Sequence, residues 1–256
     1  MMNFEEIKKY WETRAAGDSS AQSTTQDFYL REIEYRVLSE RIPRYAPRAV
    51  ADVGCGDGRT TARLAASNSG IEFTGLDYAA SMIDNARQAH EAAGLSNISF
   101  RQADICAGLD QSYDLIYTTR CLINLPSWQM QQAALDHMHR ALRPGGMYLM
   151  VENFIEGQAA FNEVRRLFAL PEIAVRAHNF FFERPRLVSY LAGRFTIDEE
   201  INISSQYYLV SRVIYSKICQ ERGTAPDYFD DHHRFAAGLP FAGECGPVRL
   251  LCLKKC

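Results

Sequence analysis

The segment AVADVGCGDGR, residues 49–59, constrains this chain more than any other. An apolar, β-prone run ends in glycines at alternate positions, Gly54, Gly56 and Gly58, and a helix-like stretch from Arg59 to about Ala66 follows at once. Glycines there let the backbone turn tightly and approach a ligand with no Cβ in the way. The start of the following helix offers free N–H groups and the positive end of its dipole, so a polar or anionic group is expected against it. Asp77 closes the next strand-like run, IEFTGL (71–76), 23 residues after Gly54. A carboxylate at that strand end accepts both hydroxyls of a ribose, so a nucleoside-bearing cofactor is expected.

The alternation continues down the chain. A helix is expected from Ala80 to Ala93, with Met82, Ile83, Ala86 and Ala93 on one side, then a strand ISFRQA (98–103). DLIYTT (114–119) reads as a strand, and Ser127 as the cap of a helix to Leu142 whose buried face carries Trp128, Leu135, Met138 and Leu142. Arg143-Pro144-Gly145-Gly146 reads as a helix stop and MYLMVE (147–152) as the fifth strand. Such alternation predicts a doubly wound α/β fold, a mostly parallel sheet with helices on both faces. FTIDEEINI (195–203) and VRLLCL (248–253) add two late strands and an antiparallel finish, seven strands in all. Residues 155–193 read as mostly helical despite Pro171 and Pro185, and YYLVSRVIYSKIC (207–219) as a helix or a strand. Pro43 and Pro47 close a helical opening, so residues 1–45 are expected to form a helical cap and 46–256 the core, with an insert at about 155–193 and a loop at 221–247.

Composition narrows the function. With 28 Lys and Arg against 31 Asp and Glu, the formal net charge is −3, which disfavours a nucleic-acid partner bound through several lysines and arginines on one face. No apolar run approaches the ~20 residues of a membrane helix, so no membrane partner is expected. The opening MMNFEEIKKYWE has no apolar core and does not read as a secretory signal. Seven cysteines without a CxxC pair read as reduced thiols in a cytoplasmic protein. Cys245, Cys252 and Cys256 with His232 and His233 match no zinc spacing, and no metal is expected.

The glycine spacing is G-x-G-x-G, one residue short of the G-x-G-x-x-G of a dinucleotide fold. Asp104, in QADI after the third strand, is placed to take the exocyclic amine of an adenine. VADVGCGDGRTT, GLDYAASMIDNAR, QADI, DLIYTTRCLINL and LRPGGMYLMVE, in this order, resemble the class I S-adenosylmethionine-dependent methyltransferases over residues 48–155. YWETRAAGDSSAQST resembles the amino-terminal cap of their small-molecule members. TRCLINLPSWQMQ, AHNFFFE and YYLVSRV resemble a bacterial subgroup of the type 11/25 methyltransferases that tailors glycans or secondary metabolites.

The resemblance implies a Rossmann-like fold, S-adenosylmethionine as cofactor, S-adenosylhomocysteine as product and a small-molecule acceptor methylated on oxygen or nitrogen. It implies Gly54, Cys55 and Gly56 against the methionine portion, Asp77 on the ribose, Tyr78 beside the adenine and Met82 near it. Asp104 and Ile105 would bracket the base, Thr119 and Arg120 would reach the methionyl end, and Arg14 would bind the cofactor carboxylate. Asp57 and Arg120 depart from the small or neutral residues common in the family. The residues after the fourth strand, TRCLINLP, lack the amine-methylating N/D-P-P-Y/F motif.

A hydroxyl acceptor calls for a base. His137 and His139, two apart on a helix, face apart; His90 sits in an alanine-rich helix and His232 and His233 in a polar loop. His178, after the fifth strand beside Asn179 and three phenylalanines, is the first candidate for catalysis, and Glu152, closing that strand at its carboxyl edge, the second. Trp11, Tyr29, Tyr35, Phe180, Phe182, Tyr207 and Tyr208 are candidates for an aromatic acceptor pocket. Two other readings stay open: a fold member that binds the cofactor without catalysis, and a nicotinamide-nucleotide oxidoreductase. The chain is expected to act as a monomer or homodimer.

Overall fold

The computed structural model describes residues 2–17, 25–91 and 94–256. Its seven strands are β1 (Ala49–Val53), β2 (Glu72–Asp77), β3 (Ile98–Gln102), β4 (Tyr113–Thr119), β5 (Leu142–Asn153), β6 (Phe195–Asn202) and β7 (Val248–Lys255). They form one sheet in the order β3-β2-β1-β4-β5-β7-β6. β1 to β5 are parallel, and β7 runs antiparallel between β5 and β6. The parallel strands are covered on both faces, which is why β4 reads as the near-continuous apolar run YDLIYTT.

Helices α1 (Phe4–Gly17) and α2 (Phe28–Arg41) open the chain, followed by α3 (Arg59–Ser67), α4 (Ala80–Glu91), α5 (Trp128–Ala141), α6 (Ile155–Leu167) and α7 (Arg184–Leu191). α8 (Ser205–Tyr208) runs through a π-helical stretch, Leu209–Ile214, into α9 (Tyr215–Arg222), and α10 is Asp231–Ala237. Leu30 and Val37 of α2, Leu64 of α3, Phe161 of α6 and Tyr207 of α8 share one core with Leu115, Tyr117 and Leu149 of the sheet. Leu135 and Met138 of α5 and Leu187 of α7 share the other with Ile116, Tyr148 and Met150, from the same strands two-fold alternated. Side chains supply the caps: Asp27 accepts the Leu30 N–H at 3.1 Å and Ser127 the Met130 N–H at 3.3 Å.

Two expectations change and one open choice is decided. α5 ends at Ala141, and the strand starts at Leu142, which pairs with Tyr113 ahead of a bulge that contains Pro144 and the two glycines. Residues 207–219 are helical throughout rather than a strand. Residues 168–183 form no regular helix, because they serve as an irregular strap: Phe180 N–H donates to Ile123 O at 2.6 Å and Phe182 N–H to Asn153 O at 3.0 Å. Ala93 of the expected fourth helix lies outside the described residues. Strand order reverses between β1 and β4, and open α/β sheets bind ligands at the carboxyl ends beside that point. No helix among the described residues is long and apolar enough to cross a membrane.

Candidate active site

A cavity of ≈ 330 Å³ opens at the carboxyl ends of β1, β2 and β4. One wall is the turn after β1. Gly54 has φ +80°, and a Cβ there would sit 2.3 Å from Cys121 Sγ, so no other residue fits without moving the chain after β4. The Gly54 and Cys55 N–H groups both donate to Leu76 O, at 2.7 and 3.0 Å, which ties the turn to the end of β2. There Asp77 accepts the Gly56 N–H at 3.0 Å and the Ala79 N–H at 2.9 Å. Burial pushes the Asp77 carboxyl up to about 6 against the pull of those two amides.

Asp52, the one charged residue of β1, is 2 % exposed. Its Oδ2 accepts the Thr61 hydroxyl at 2.6 Å and the Tyr117 hydroxyl at 2.8 Å. Its Oδ1 is buried with no partner among the described residues, and the residue lines the cavity. Burial pushes this carboxyl up to about 7 despite the two hydroxyl donors.

The opposite wall is polar where a helix face is usually apolar. The N-cap Asp27 and, in α2, Arg31 and Glu34 face the cavity, and each reaches a different part of the core. Asp27 receives the Tyr207 hydroxyl at 2.5 Å and a guanidinium N–H from Arg212. Arg31 pairs with Asp57 of the glycine turn at 3.3 Å. Glu34 holds Arg120 through two nitrogens, at 2.6 and 3.2 Å, and Arg120 takes a left-handed φ of 50° to meet it. The Arg212 guanidinium lies over the rings of Tyr208 and Tyr228, 4.6 and 5.1 Å from their centroids, and donates to the Tyr228 hydroxyl at 3.2 Å.

The strap residues 173–181 close the third side. His178 stacks on Tyr10 with centroids 4.8 Å apart and meets the edge of Trp11 at 5.8 Å. Burial, with the nearby Arg176 and Arg14 charges, holds its imidazole below the usual histidine range, so it is neutral at pH 7.

Residues 50–146 match the family model described as a methyltransferase domain. Over this stretch the chain is similar to a methyltransferase domain. Trans-aconitate 2-methyltransferase of Methylobacterium radiotolerans is 35% identical over 111 residues, which are 43% of this chain and 40% of that one. O-methyltransferase rstn1 of Aspergillus nomiae is 26% identical over 149 residues, 57% of this chain and 60% of that one. The matches therefore span about half the length of these curated relatives. Among solved structures, N-methyltransferase NodS from Bradyrhizobium japonicum with S-adenosyl-L-homocysteine superposes with TM-score 0.58 at 15% identity, covering 98% of this chain and 97% of that one. Magnesium protoporphyrin IX methyltransferase from Synechocystis PCC 6803 gives TM-score 0.61 at 15% identity over 98% and 99%. These two likenesses speak to the fold.

Within this methyltransferase fold the cavity gathers Gly54, Cys55, Gly56, Asp77, Tyr78, Met82, Thr119, Arg120 and His178 from the sequence candidates. Others stand elsewhere. Glu152 is 0 % exposed and does not line the cavity; its carboxylate accepts the N–H groups of Cys121, Leu122 and Ile123 at 3.1, 3.0 and 3.3 Å. It organises the turn after β4 and is pushed up to about 7 by burial. Asp104 faces a second hollow, where Lys8 of α1 holds it at 2.8 Å, and Ile105 packs in the core. Arg14 lies outside the cavity wall, with one nitrogen donating to the Tyr10 hydroxyl at 3.3 Å.

Of the aromatic candidates Trp11 and Tyr208 line the cavity; Phe181 does so in place of Phe180 and Phe182, whose backbones anchor the strap, and Tyr29, Tyr35 and Tyr207 pack behind it. His233 is buried rather than in a solvated loop, 2.8 Å from the Tyr207 hydroxyl. Sequence reasoning passed over Asp52, Asp27, Glu34 and Arg212. A lone acid inside an apolar strand was a visible signal for the first, and an arginine inside YYLVSRV for the last.

Proposed function

We propose that this protein transfers a methyl group from S-adenosylmethionine to an oxygen or nitrogen of a small molecule. The observation that carries the reading is the pairing of the pinned glycine turn with two carboxyls on one wall, Asp77 and the half-satisfied Asp52. Such a wall fits the cofactor: Asp77 faces its ribose hydroxyls, and the free Oδ1 of Asp52 is an acceptor for its cationic amino-acid end. S-adenosylmethionine, when bound, supplies an electrophilic sulfonium methyl. The chain has only to orient an acceptor against it, and positioning of that kind contributes ~7–11 kcal/mol.

The parts divide accordingly. Tyr78 and Met82 pack the nucleoside side, α2 and the strap exclude water, and His178 contacts the acceptor. On this reading residues 1–45 act as the cap and about 155–193 cover the acceptor. The names of the relatives, a trans-aconitate methyltransferase and an O-methyltransferase among them, support a small-molecule acceptor.

Calorimetric titration of the full chain with S-adenosylhomocysteine tests the reading, with NAD and an Asp77→Ala variant alongside. Micromolar binding that the variant loses is the expected result. Preference for NAD would instead mark an oxidoreductase, and binding of the homocysteine without turnover of any acceptor would mark a silent member of the fold.

A further inference from the structure

The cavity's charges are sorted by side, and this bears on the acceptor, given the methyl-transfer reading. Four guanidiniums line it, those of Arg31, Arg120, Arg176 and Arg212, and no lysine does among the described residues. Three of the lining acids are already engaged: Asp57 by Arg31, Glu34 by Arg120 and Asp27 by Arg212. The other two, Asp52 and Asp77, stand at the ends of β1 and β2 on the cofactor side. The acceptor side thus has, among the described residues, no unpaired carboxylate to attract an ammonium group or to lift a proton from a hydroxyl. It has instead a cation in excess, Arg176, which lies exposed at the lip of the strap.

We propose that the acceptor is a small carboxylic acid and that its carboxylate oxygen is the atom methylated, giving a methyl ester. Guanidinium forks match carboxylates in plane and spacing, as the Arg120–Glu34 pair in the same wall shows. That pair uses Nε and Nη2 of Arg120. Arg212 donates into the phenol oxygen of Tyr228, so the phenol's own proton points elsewhere and is a further donor for a carboxylate. The chemistry needs no base, so the neutral His178 imidazole in the wall has only to contact the acceptor. The carboxylate oxygen supplies the electron pair of the new O–CH₃ bond, the C–S pair stays on sulfur as the sulfonium becomes a thioether, and no proton moves. Opposite charges cancel in that step, which a water-excluding cavity favours.

The test uses the full chain saturated with S-adenosylhomocysteine and titrated calorimetrically with benzoate, succinate and citrate, each beside its neutral amide, with inorganic phosphate as a control anion. At least one carboxylate should bind about tenfold or more tighter than its amide and than phosphate. Arg176→Gln should weaken it by up to about fivefold, the value of an exposed ion pair, while leaving S-adenosylhomocysteine binding unchanged. That residue is exposed, so its loss leaves the α2 ion pairs intact. With methyl-labelled S-adenosylmethionine, mild alkali should release the label from product as methanol. The proposal is overturned by amides or phosphate binding as well as carboxylates, by no carboxylate binding at millimolar concentration, or by an alkali-stable methyl group. Failure of S-adenosylhomocysteine itself to bind is a separate result, which removes the methyl-transfer reading and this one with it.

Discussion

The two walls of the cavity are built in opposite ways. The wall proposed for the cofactor comes from residues close in sequence: one glycine turn and the ends of adjacent strands, locked by backbone hydrogen bonds from Gly54, Cys55 and Gly56. The wall proposed for the acceptor comes from Asp27 and Glu34 meeting residues far along the chain, Arg212 and Arg120, through side chains alone, and Arg31 ties it to Asp57 of the glycine turn. A local motif is stiff and tolerates little change. A wall of ion pairs across three segments re-pairs more easily, so its chemistry can alter while the fold stays.

If the cofactor wall is as stiff as its geometry, the largest effect belongs to Gly54→Val. A left-handed β-branched residue costs ~1–2 kcal/mol and crowding the Cys121 side chain ~1–3 more, so the expected loss of stability is ~4 kcal/mol, read by denaturant unfolding. S-adenosylhomocysteine affinity should fall with it. A variant that unfolds and binds like the parent would show that the turn re-forms, and the contrast between walls would go.

Next comes Glu34→Gln, which leaves Arg120 without its partner. Breaking a buried pair costs ~3–5 kcal/mol, and because the arginine side chain is 25 % exposed the expected loss is at the lower end, ~3 kcal/mol. Adding Arg120→Gly should recover part of it, since glycine also relieves the left-handed φ. Additive losses in the double variant would mean that the two residues do not act as a pair.

The same contrast explains what the sequence disclosed. The succession of strands and helices along the chain, the antiparallel finish and the glycine turn follow from period and punctuation, which are local. Glu152 was misread because a carboxylate at a strand's carboxyl edge looks identical whether it faces ligand or backbone; only the turn after β4, folding its amides onto it, decides. His233 was misread because DYFDDHHR is polar throughout, and its burial depends on Tyr207 and α2 arriving from elsewhere. Residues 168–183 looked helical, but the strap's hydrogen bonds go to the turn after β4 and the end of β5, a tertiary choice that overrides propensity.

Asp52 gives a smaller effect that separates the walls by pH. Its folded carboxyl sits at about 7 against ~3.9 in an unfolded chain, so the fold prefers it protonated. Stability from this group is full below pH ~4 and is lost as pH rises through 7. Asp52→Asn cannot ionise. Its stability relative to the parent should therefore improve by ~2.5 kcal/mol between pH 5 and pH 8, measured as the difference between two unfolding curves at each pH. Taking the difference removes Asp114, Glu199 and Glu200, whose carboxyls are held low and respond in the other direction. A flat difference would mean that Asp52 is ionised throughout, with its free Oδ1 satisfied by a donor.

The smallest effect tests where the cofactor wall ends. Asp104 is the residue that the sequence resemblance sets against an adenine, yet it faces the second hollow, with one oxygen on the Cys106 N–H at 2.9 Å and the other on Lys8 at 2.8 Å. Tyr78 lines both hollows and so stands between them. The Lys8 and Asp104 side chains are 29 % and 27 % exposed, so the pair is worth ~0.2–1 kcal/mol. Lys8→Met should leave unfolding unchanged within that range. By freeing one oxygen of Asp104 for an exocyclic amine, it should also tighten S-adenosylhomocysteine by up to about threefold. Weakening of tenfold or more would show that Lys8 itself touches the cofactor. The stiff wall would then extend into α1, and the boundary between a locally encoded half and a tertiary half would move from β2 to the first helix of the chain.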